Sequence, residues 1–327
     1  MSDERRFALD AVAEACGLAS RVQSDVVAQR DAATKGDRSP VTMADLAIQA
    51  VFGLRLARAF QDTPLLAEEE ASSFLAGADM TAKVTSLVRT AVPEASVDDI
   101  ARALDAGRHD GDAERYWVMD PVDGTKGFLR GDQYAVALAL VERGEVVLGV
   151  LGCPNLGPAD DPTATAGSLF VAVRGEGAFE RRVDDATERP IRVDAIDDPR
   201  RAVMCESVES AHAAHSEHAR IAEGLGITAE PYRIDSQCKY AVLSRGQASV
   251  YLRLPRAKAY REKVWDHAAG AIVISEAGGR VSDLNGNPLD FARGRMLGGP
   301  GQGIIATNGR LHDRVLEIAR AVTGWQG

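Results

Sequence analysis

Three apolar runs, YAVALALV (134–141), VVLGVL (146–151) and SLFVAV (168–173), restrict the possible folds of this chain more than any other feature. Each has strand length and carries no charge, so each reads as a strand buried on both faces. Turn signals at Arg143-Gly144 and Arg174–Gly177 punctuate them, and the pattern predicts an antiparallel meander. Helical periodicity lies in blocks outside it. Residues 3–35, Thr42 to about Phe60, and 80–107 with a break at Pro93 come before; 213–224, 236–245, Trp265–Ala277 and 310–322 come after. Shorter strands are expected at 65–70, Tyr116–Met119, 202–206, 248–254 and 303–307. Strands and helices segregated in this way predict α+β layers, not a doubly wound sheet. The polar stretch RRVDDATERP (181–190) ends in proline and marks the expected boundary between domains 1–185 and 186–327.

Charge narrows the class of partner. The 327 residues carry 38 Lys plus Arg against 48 Asp plus Glu, a net charge of −10. An acidic chain is a poor binder of nucleic acid or an anionic membrane. A phosphate substrate would need positive charge from elsewhere, and a metal ion is the obvious source. The longest apolar run, Ala135 to Val141, is far short of the ~20 residues of a membrane helix. The start MSDERRFALD has no apolar signal core. Cys16, Cys153, Cys205 and Cys238 form no CxxC pair, so free thiols in a reducing cytoplasm are expected.

The strongest chemical signal is WVMDPVDGTKGF (117–128). Asp120 and Asp123 flank Pro121-Val122 at a strand end. Pro121 fixes φ and Gly124 permits a tight turn, so both carboxylates can face one point with the Val122 carbonyl between them. Hard cations such as Mg²⁺ take oxygen ligands of this kind. Taken alone, Asp-Pro and Asp-Gly also make ordinary turns. Glu68, Glu69 and Glu70 end another expected strand; alone they read as a solvated loop, although a cation would relieve their repulsion. Asp45, three residues after Thr42, fits a capping box at a helix start. Asp266 falls in the first turn of an expected helix, where an acid complements the dipole. His267 reads as a packing residue.

Together these places resemble the metal-dependent, lithium-sensitive phosphomonoesterase superfamily of inositol monophosphatases, fructose-1,6-bisphosphatases and bisphosphate nucleotidases. The resemblance rests on Asp120-Pro121-Val122-Asp123-Gly124-Thr125 and on Trp265-Asp266-His267-Ala268-Ala269-Gly270, two motifs highly specific in combination. Within the superfamily the chain looks most like the 3'(2'),5'-bisphosphate nucleotidases, from Ser39 to the C-terminus. KGFLRGDQYAVALAL and DSQCKY followed by YLRLP carry that narrower likeness. The resemblance implies a layered α/β/α/β/α sandwich with two sheets. It implies two or three Mg²⁺ ions held by Glu68, Asp120, the Val122 carbonyl, Asp123 and Asp266. Glu68 takes its position by register after Ala67, with Glu69 behind it. Asp45 and Thr125 would orient and activate the attacking water, and Thr125 and Asp266 would also touch substrate. His212, Ser236, Lys239 and Arg253 would hold the nucleotide beyond the scissile phosphate, with His215 and His218 as neighbours of His212.

The implied activity is removal of the 3'-phosphate of 3'-phosphoadenosine 5'-phosphate, and of its 5'-phosphosulfate analogue, in a cytoplasmic, monomeric enzyme of sulfur assimilation inhibited by Li⁺. Phosphate-monoester hydrolysis is among the slowest uncatalysed reactions, and paired divalent ions suit it. Two basic residues away from the acids, Lys239 and Arg253, suit a substrate with a second phosphate. Two other readings stand beside this one: an inositol (poly)phosphate phosphatase, and a catalytically silent metal or nucleotide sensor. The retained Asp45 and Thr125 argue against the sensor.

Overall fold

The computed structural model describes residues 2–28, 39–208, 212–255, 257 and 259–325. The predicted meander forms the centre of a seven-stranded sheet of order β1-β2-β3-β4-β5-β6-β7. Its strands are β1 (Leu65–Ala67), β2 (Arg115–Asp123), β3 (Ala135–Glu142), β4 (Glu145–Cys153), β5 (Ser168–Val173), β6 (Gly177–Arg182) and β7 (Arg189–Ile191). Only β1 and β2 pair in parallel; every other neighbour is antiparallel. The second sheet has the order β11-β12-β10-β8-β9. It contains β8 (Met204–Glu206), β9 (Tyr232–Arg233), β10 (Val250–Arg253), β11 (Arg280–Ser282) and β12 (Ile304–Thr307).

Helices separate and cover the sheets. α1 (Asp3–Ala28), α2 (Ser39–Ala59), α3 (Ala71–Phe74), α4 (Ala78–Arg89) and α5 (Val97–Asp105) precede the meander, with the expected break around Pro93 between the last two. α6 (Thr125–Arg130) follows β2. α7 (His212–Leu225), α8 (Cys238–Ser244), α9 (Ala268–Glu276) and α10 (His312–Thr323) belong to the second half.

Alternation along the buried strands sorts these elements into layers. In β3, Val136, Leu138 and Leu140 enter a core shared with α1 and α2, while Ala135, Ala137 and Ala139 enter one shared with α8 and α9. That second core also takes Tyr251 and Ala306 from the inner face of the second sheet. The outer face of the second sheet, with Val250, Leu252 and Ile305, packs on Ile221 of α7 and Val315 of α10. The result is the expected α/β/α/β/α sandwich of two sheets. The small side of β3 lets α9 lie close, and Gly149 of β4 extends that surface. A Cβ there would meet Ile272 Cγ2 at 2.4 Å and the Ala269 carbonyl oxygen at 2.9 Å.

Several boundaries differ from the sequence reading. β2 does not stop at Met119. It runs through Pro121, because the register shifts between Asp120 and Asp123 and the proline needs no ladder bond at such a bulge. α2 begins at Ser39, so Thr42 lies inside the helix and does not cap it; Pro40 is tolerated in the first turn. The polar stretch KGDRSP (35–40), which reads as a break between the first two expected helices, and the expected end of the first helix fall mostly outside the described residues. RRVDDATERP is not a linker: β6 takes its first residues and β7 its last, so the division at 185/186 falls in the turn between two strands of one sheet. The helix expected from Trp265 starts only at Ala268, after a 3₁₀ turn over Val264–Asp266. α2 is the one helix among the described residues long and apolar enough to cross a bilayer, and two-thirds of that stretch (67%) is buried within the protein. All four cysteines are buried and free.

Two glycines of opposite circumstance test this packing. Gly149→Val drives a branched side chain into α9 and should destabilise by about 1–3 kcal/mol or more. Gly17, on the exposed face of α1 with nothing within 4 Å of a Cβ, should gain about 0.5–1 kcal/mol as Gly17→Ala. Urea unfolding midpoints moving in those opposite directions are the expected result.

Candidate active site

The acidic residues come from four separate elements and meet at one place. Asp45 stands in α2, Glu68 directly follows β1, Asp120 and Asp123 sit on the bulged end of β2, and Asp266 lies in the 3₁₀ turn before α9. Asp120 is 2% exposed, and burial pushes its carboxyl well above the usual range. The charges of Glu68, Asp123, Asp266 and Asp45 push it further the same way, so the five form one mutually repelling group. Asp45 is likewise raised well above its usual range, by burial first and then by Glu69, Glu68 and Asp123; the Val122 N–H pulls the other way. Burial also raises Glu68, opposed by Lys263, whose ammonium stands 3.5 Å away. Glu69 is pushed up to about 7 by burial and by Glu68.

Neighbouring residues hold this repulsive group in place. Gln49, fully buried in α2, clamps the acidic strand end with both ends of its carboxamide. Its Nε2 donates to the Glu69 carbonyl at 2.8 Å, and its Oε1 accepts from the Glu69 N–H at 2.9 Å. Arg295 donates to the Ala67 carbonyl at 2.7 Å while its guanidinium lies 4.8 Å over the Trp265 ring. The Gln237 N–H, just before α8, donates to Asp123 Oδ2 at 2.6 Å, and the Gln237 side chain bonds the Trp265 carbonyl and the Gly270 N–H. That turn passes through Ser236 at φ 64, a strained value for a residue with a Cβ. Gln49, Arg295 and Gln237 were not picked out from the sequence. Each acts through main-chain contacts with residues remote in the chain, and no motif marks them.

The expected nucleotide residues lie beside the acids. A cleft of about 240 Å³ is lined by Asp123, Thr125 and Asp266 together with Ser236, Lys239 and Arg253. Thr125 opens α6 after Gly124, whose φ of 100 suits glycine. Lys239 is buried; its ammonium donates to Ser207 Oγ at 3.2 Å and lies 5.4 Å from the centre of the Tyr251 ring. Burial lowers its pKa and Asp123 opposes that shift. Arg253 is not free. Its Nε is 2.7 Å from Glu262 Oε2, and its Nη2 donates to Asp266 Oδ2 at 2.8 Å. Glu262 is held below its usual range: burial would raise it, but the hydrogen bond from His267 and the charge of Arg253 outweigh that. His212 begins α7, and its side chain lies outside the described residues, as does that of His215. His218 is buried, with Nδ1 3.8 Å from Glu206. His267 is fully buried between Tyr240 and Glu262, a packing position as its sequence context implied.

One atom tests whether this set suits a cation. Asp120 Oδ1 is sealed from solvent and has no hydrogen-bond partner among the described residues. A buried carboxylate oxygen left so is costly, and a hard cation is the partner that such an oxygen lacks. The donors fit Mg²⁺. Glu262, Asp266 and His267 also converge, with ligand atoms within 4.8 Å of one another, but Arg253 already occupies that triad.

A sequence model of the inositol monophosphatase family matches residues 2–323. The chain belongs to the inositol monophosphatase family. Within that family it is 43% identical to a 3'(2'),5'-bisphosphate nucleotidase of Oryza sativa, over 97% of this chain and 93% of the relative. It is 38% identical to one of Schizosaccharomyces pombe, over 98% and 96%. The solved inositol monophosphatase of Anabaena superposes with a TM-score of 0.62 at 22% identity, covering 98% of each chain, and so shares the family fold.

The raised carboxyls have a consequence for stability. Each binds its proton more tightly folded than unfolded, so ionising it costs stability. For Glu69 that contribution is present below its ordinary 4.5 and is lost as pH rises through about 7. In a chelator, wild-type protein should therefore fall progressively behind Asp120→Asn in melting temperature as pH rises above the ordinary aspartate value of 3.8. Added Mg²⁺ should stabilise the wild type and much less the variant. Differential scanning fluorimetry across pH, with and without Mg²⁺, measures both.

Proposed function

We propose that this member of the inositol monophosphatase family is a Mg²⁺-dependent 3'(2'),5'-bisphosphate nucleotidase. Its substrates are 3'-phosphoadenosine 5'-phosphate and the 5'-phosphosulfate analogue, each losing the 3'-phosphate. One observation carries the reading: a single cleft has both anionic residues that suit cations (Asp123, Asp266) and cationic residues that suit a second phosphate (Lys239, Arg253). The names of the relatives in rice and fission yeast support it. A cytoplasmic enzyme of sulfur assimilation, inhibited by Li⁺ and working as a monomer, is part of the same proposal.

Glu68, Asp120, the Val122 carbonyl, Asp123 and Asp266 would hold two or three Mg²⁺ ions. Bound there, the ions supply charge neutralisation for the phosphate and acidify the attacking water. Asp45 is the base: it is buried, has a raised proton affinity and sits beside the acids. The Thr125 hydroxyl orients the water and relays its proton toward Asp45. Lys239, desolvated beside Asp123, gives the unreacting phosphate a point charge, and Arg253 gives it a planar fork. Ser236 adds a hydroxyl at the same cleft, and His212, which begins α7, is assigned to the nucleotide as well.

Phosphate release from 3'-phosphoadenosine 5'-phosphate should exceed release from inositol 1-phosphate and should need Mg²⁺. Preference for inositol 1-phosphate would overturn the reading. Losing one charge-assisted contact costs about 1.5–3 kcal/mol, or about ten- to a hundredfold. Lys239→Ala should lose about that much kcat/KM on the bisphosphate and far less on a 3'-monophosphate, which has no second phosphate to hold. Equal losses on the two substrates would remove Lys239 from the phosphate subsite.

A further inference from the structure

The contacts of Arg253 lead away from the cleft into the core. Its Nε meets Glu262 Oε2 at 2.7 Å; that same oxygen lies 3.1 Å from His267 Nε2; and His267 Nδ1 lies 2.7 Å from the Tyr240 hydroxyl. Glu262 is 5% exposed, His267 is fully buried and Tyr240 is 1% exposed. One direction follows from the inventory of donors: ionised Glu262 can only accept, so His267 presents Nε2–H to it, while the Tyr240 hydroxyl, able to donate or accept, meets Nδ1 from the other side.

We infer that Glu262, braced by His267 and Tyr240, is a positioning residue that sets the Arg253 guanidinium at the junction of the carboxylate group and the second-phosphate subsite. This rests on the nucleotidase reading and deepens it. The reason is geometric. Arg253 has two carboxylates in reach, Glu262 through Nε and Asp266 through Nη2. Without Glu262 the guanidinium would be free to turn its fork onto Asp266, a carboxylate assigned to the cations. With Nε anchored, Nη2 donates to Asp266 at 2.8 Å and faces the Tyr260 hydroxyl at 3.5 Å, and Nη1 has no hydrogen-bond partner among the described residues. A guanidinium held by one edge, on a residue that lines the cleft, suits the charge-assisted contact that a phosphate accepts. Glu262 touches neither substrate nor the reacting atoms; its effect passes through Arg253.

A double-mutant cycle tests this in the Mg²⁺-loaded full chain. The readout is the ratio of kcat/KM on 3'-phosphoadenosine 5'-phosphate to that on adenosine 3'-monophosphate. Glu262→Ala should cut this ratio about tenfold, Arg253→Ala at least as much, and the double variant no more than Arg253→Ala alone. Glu262→Gln, which keeps an oxygen for Arg253 Nε, should recover most of the ratio. If Glu262→Ala does not fold, Glu262→Met preserves volume without an acceptor and takes its place in the cycle. Equilibrium binding of adenosine 5'-monophosphate, read by calorimetry, should weaken about tenfold in both single variants, with no hydrolysis involved. Additive losses in the double variant, or equal losses on both substrates, would overturn the positioning role while leaving the nucleotidase reading intact. A wild-type enzyme that does not hydrolyse the bisphosphate would overturn both.

Discussion

Five carboxylates that have lost most of their water repel one another, and much of this fold keeps them together regardless. Desolvation and mutual charge act in the same direction on Asp45, Asp120 and Asp123, each of which is pushed up. No single helix or strand could present such a set, because neighbours along one element would simply turn apart. The protein draws the acids from α2, the end of β1, the bulge of β2 and the turn before α9, and fixes each backbone separately. Gln49 clamps the Glu69 peptide, Arg295 the Ala67 carbonyl, and the Gln237 amide the Asp123 carboxylate. The strain at Ser236 belongs to the same arrangement, since that turn aims the Gln237 amide.

Positive charge is then distributed around the rim. Lys263 stands by Glu68, and Arg253 bridges Asp266 and Glu262. Lys239 is desolvated and stacked over Tyr251. These cations moderate the repulsion without quenching it, for Asp120 Oδ1 still has no hydrogen-bond partner among the described residues. The cleft therefore carries both signs of charge within one small volume, as the proposed bisphosphate substrate requires.

What could be read in advance follows the range of the physics involved. The meander was legible because its strands are buried on both faces and hence continuously apolar. β6 and β7 were not: their polar, half-exposed residues at the sheet edge look like a linker. The helix start at Ser39 was obscured by Pro40, which reads as a break but is tolerated in a first turn. Asp120 and Asp123 were legible because the proline and glycine of Asp120-Pro121-Val122-Asp123-Gly124 set their spacing locally. Glu262 was not, since it lies in an irregular segment and its meaning lies in a guanidinium on β10 and a histidine beyond it. Gln49 looks like any polar residue in an apolar helix until its partner, the Glu69 peptide, is seen in space.

The central claim is that the group formed by Glu68, Asp120, Asp123 and Asp266 is built for divalent cations. Anomalous diffraction from crystals of the protein grown with Mn²⁺ in place of Mg²⁺ tests it most directly. The account predicts two or three peaks among those carboxylates, one of them against Asp120 Oδ1, with Arg253 still on Glu262. Peaks confined to the Glu262–Asp266–His267 triad, or no peak near Asp120, would contradict it.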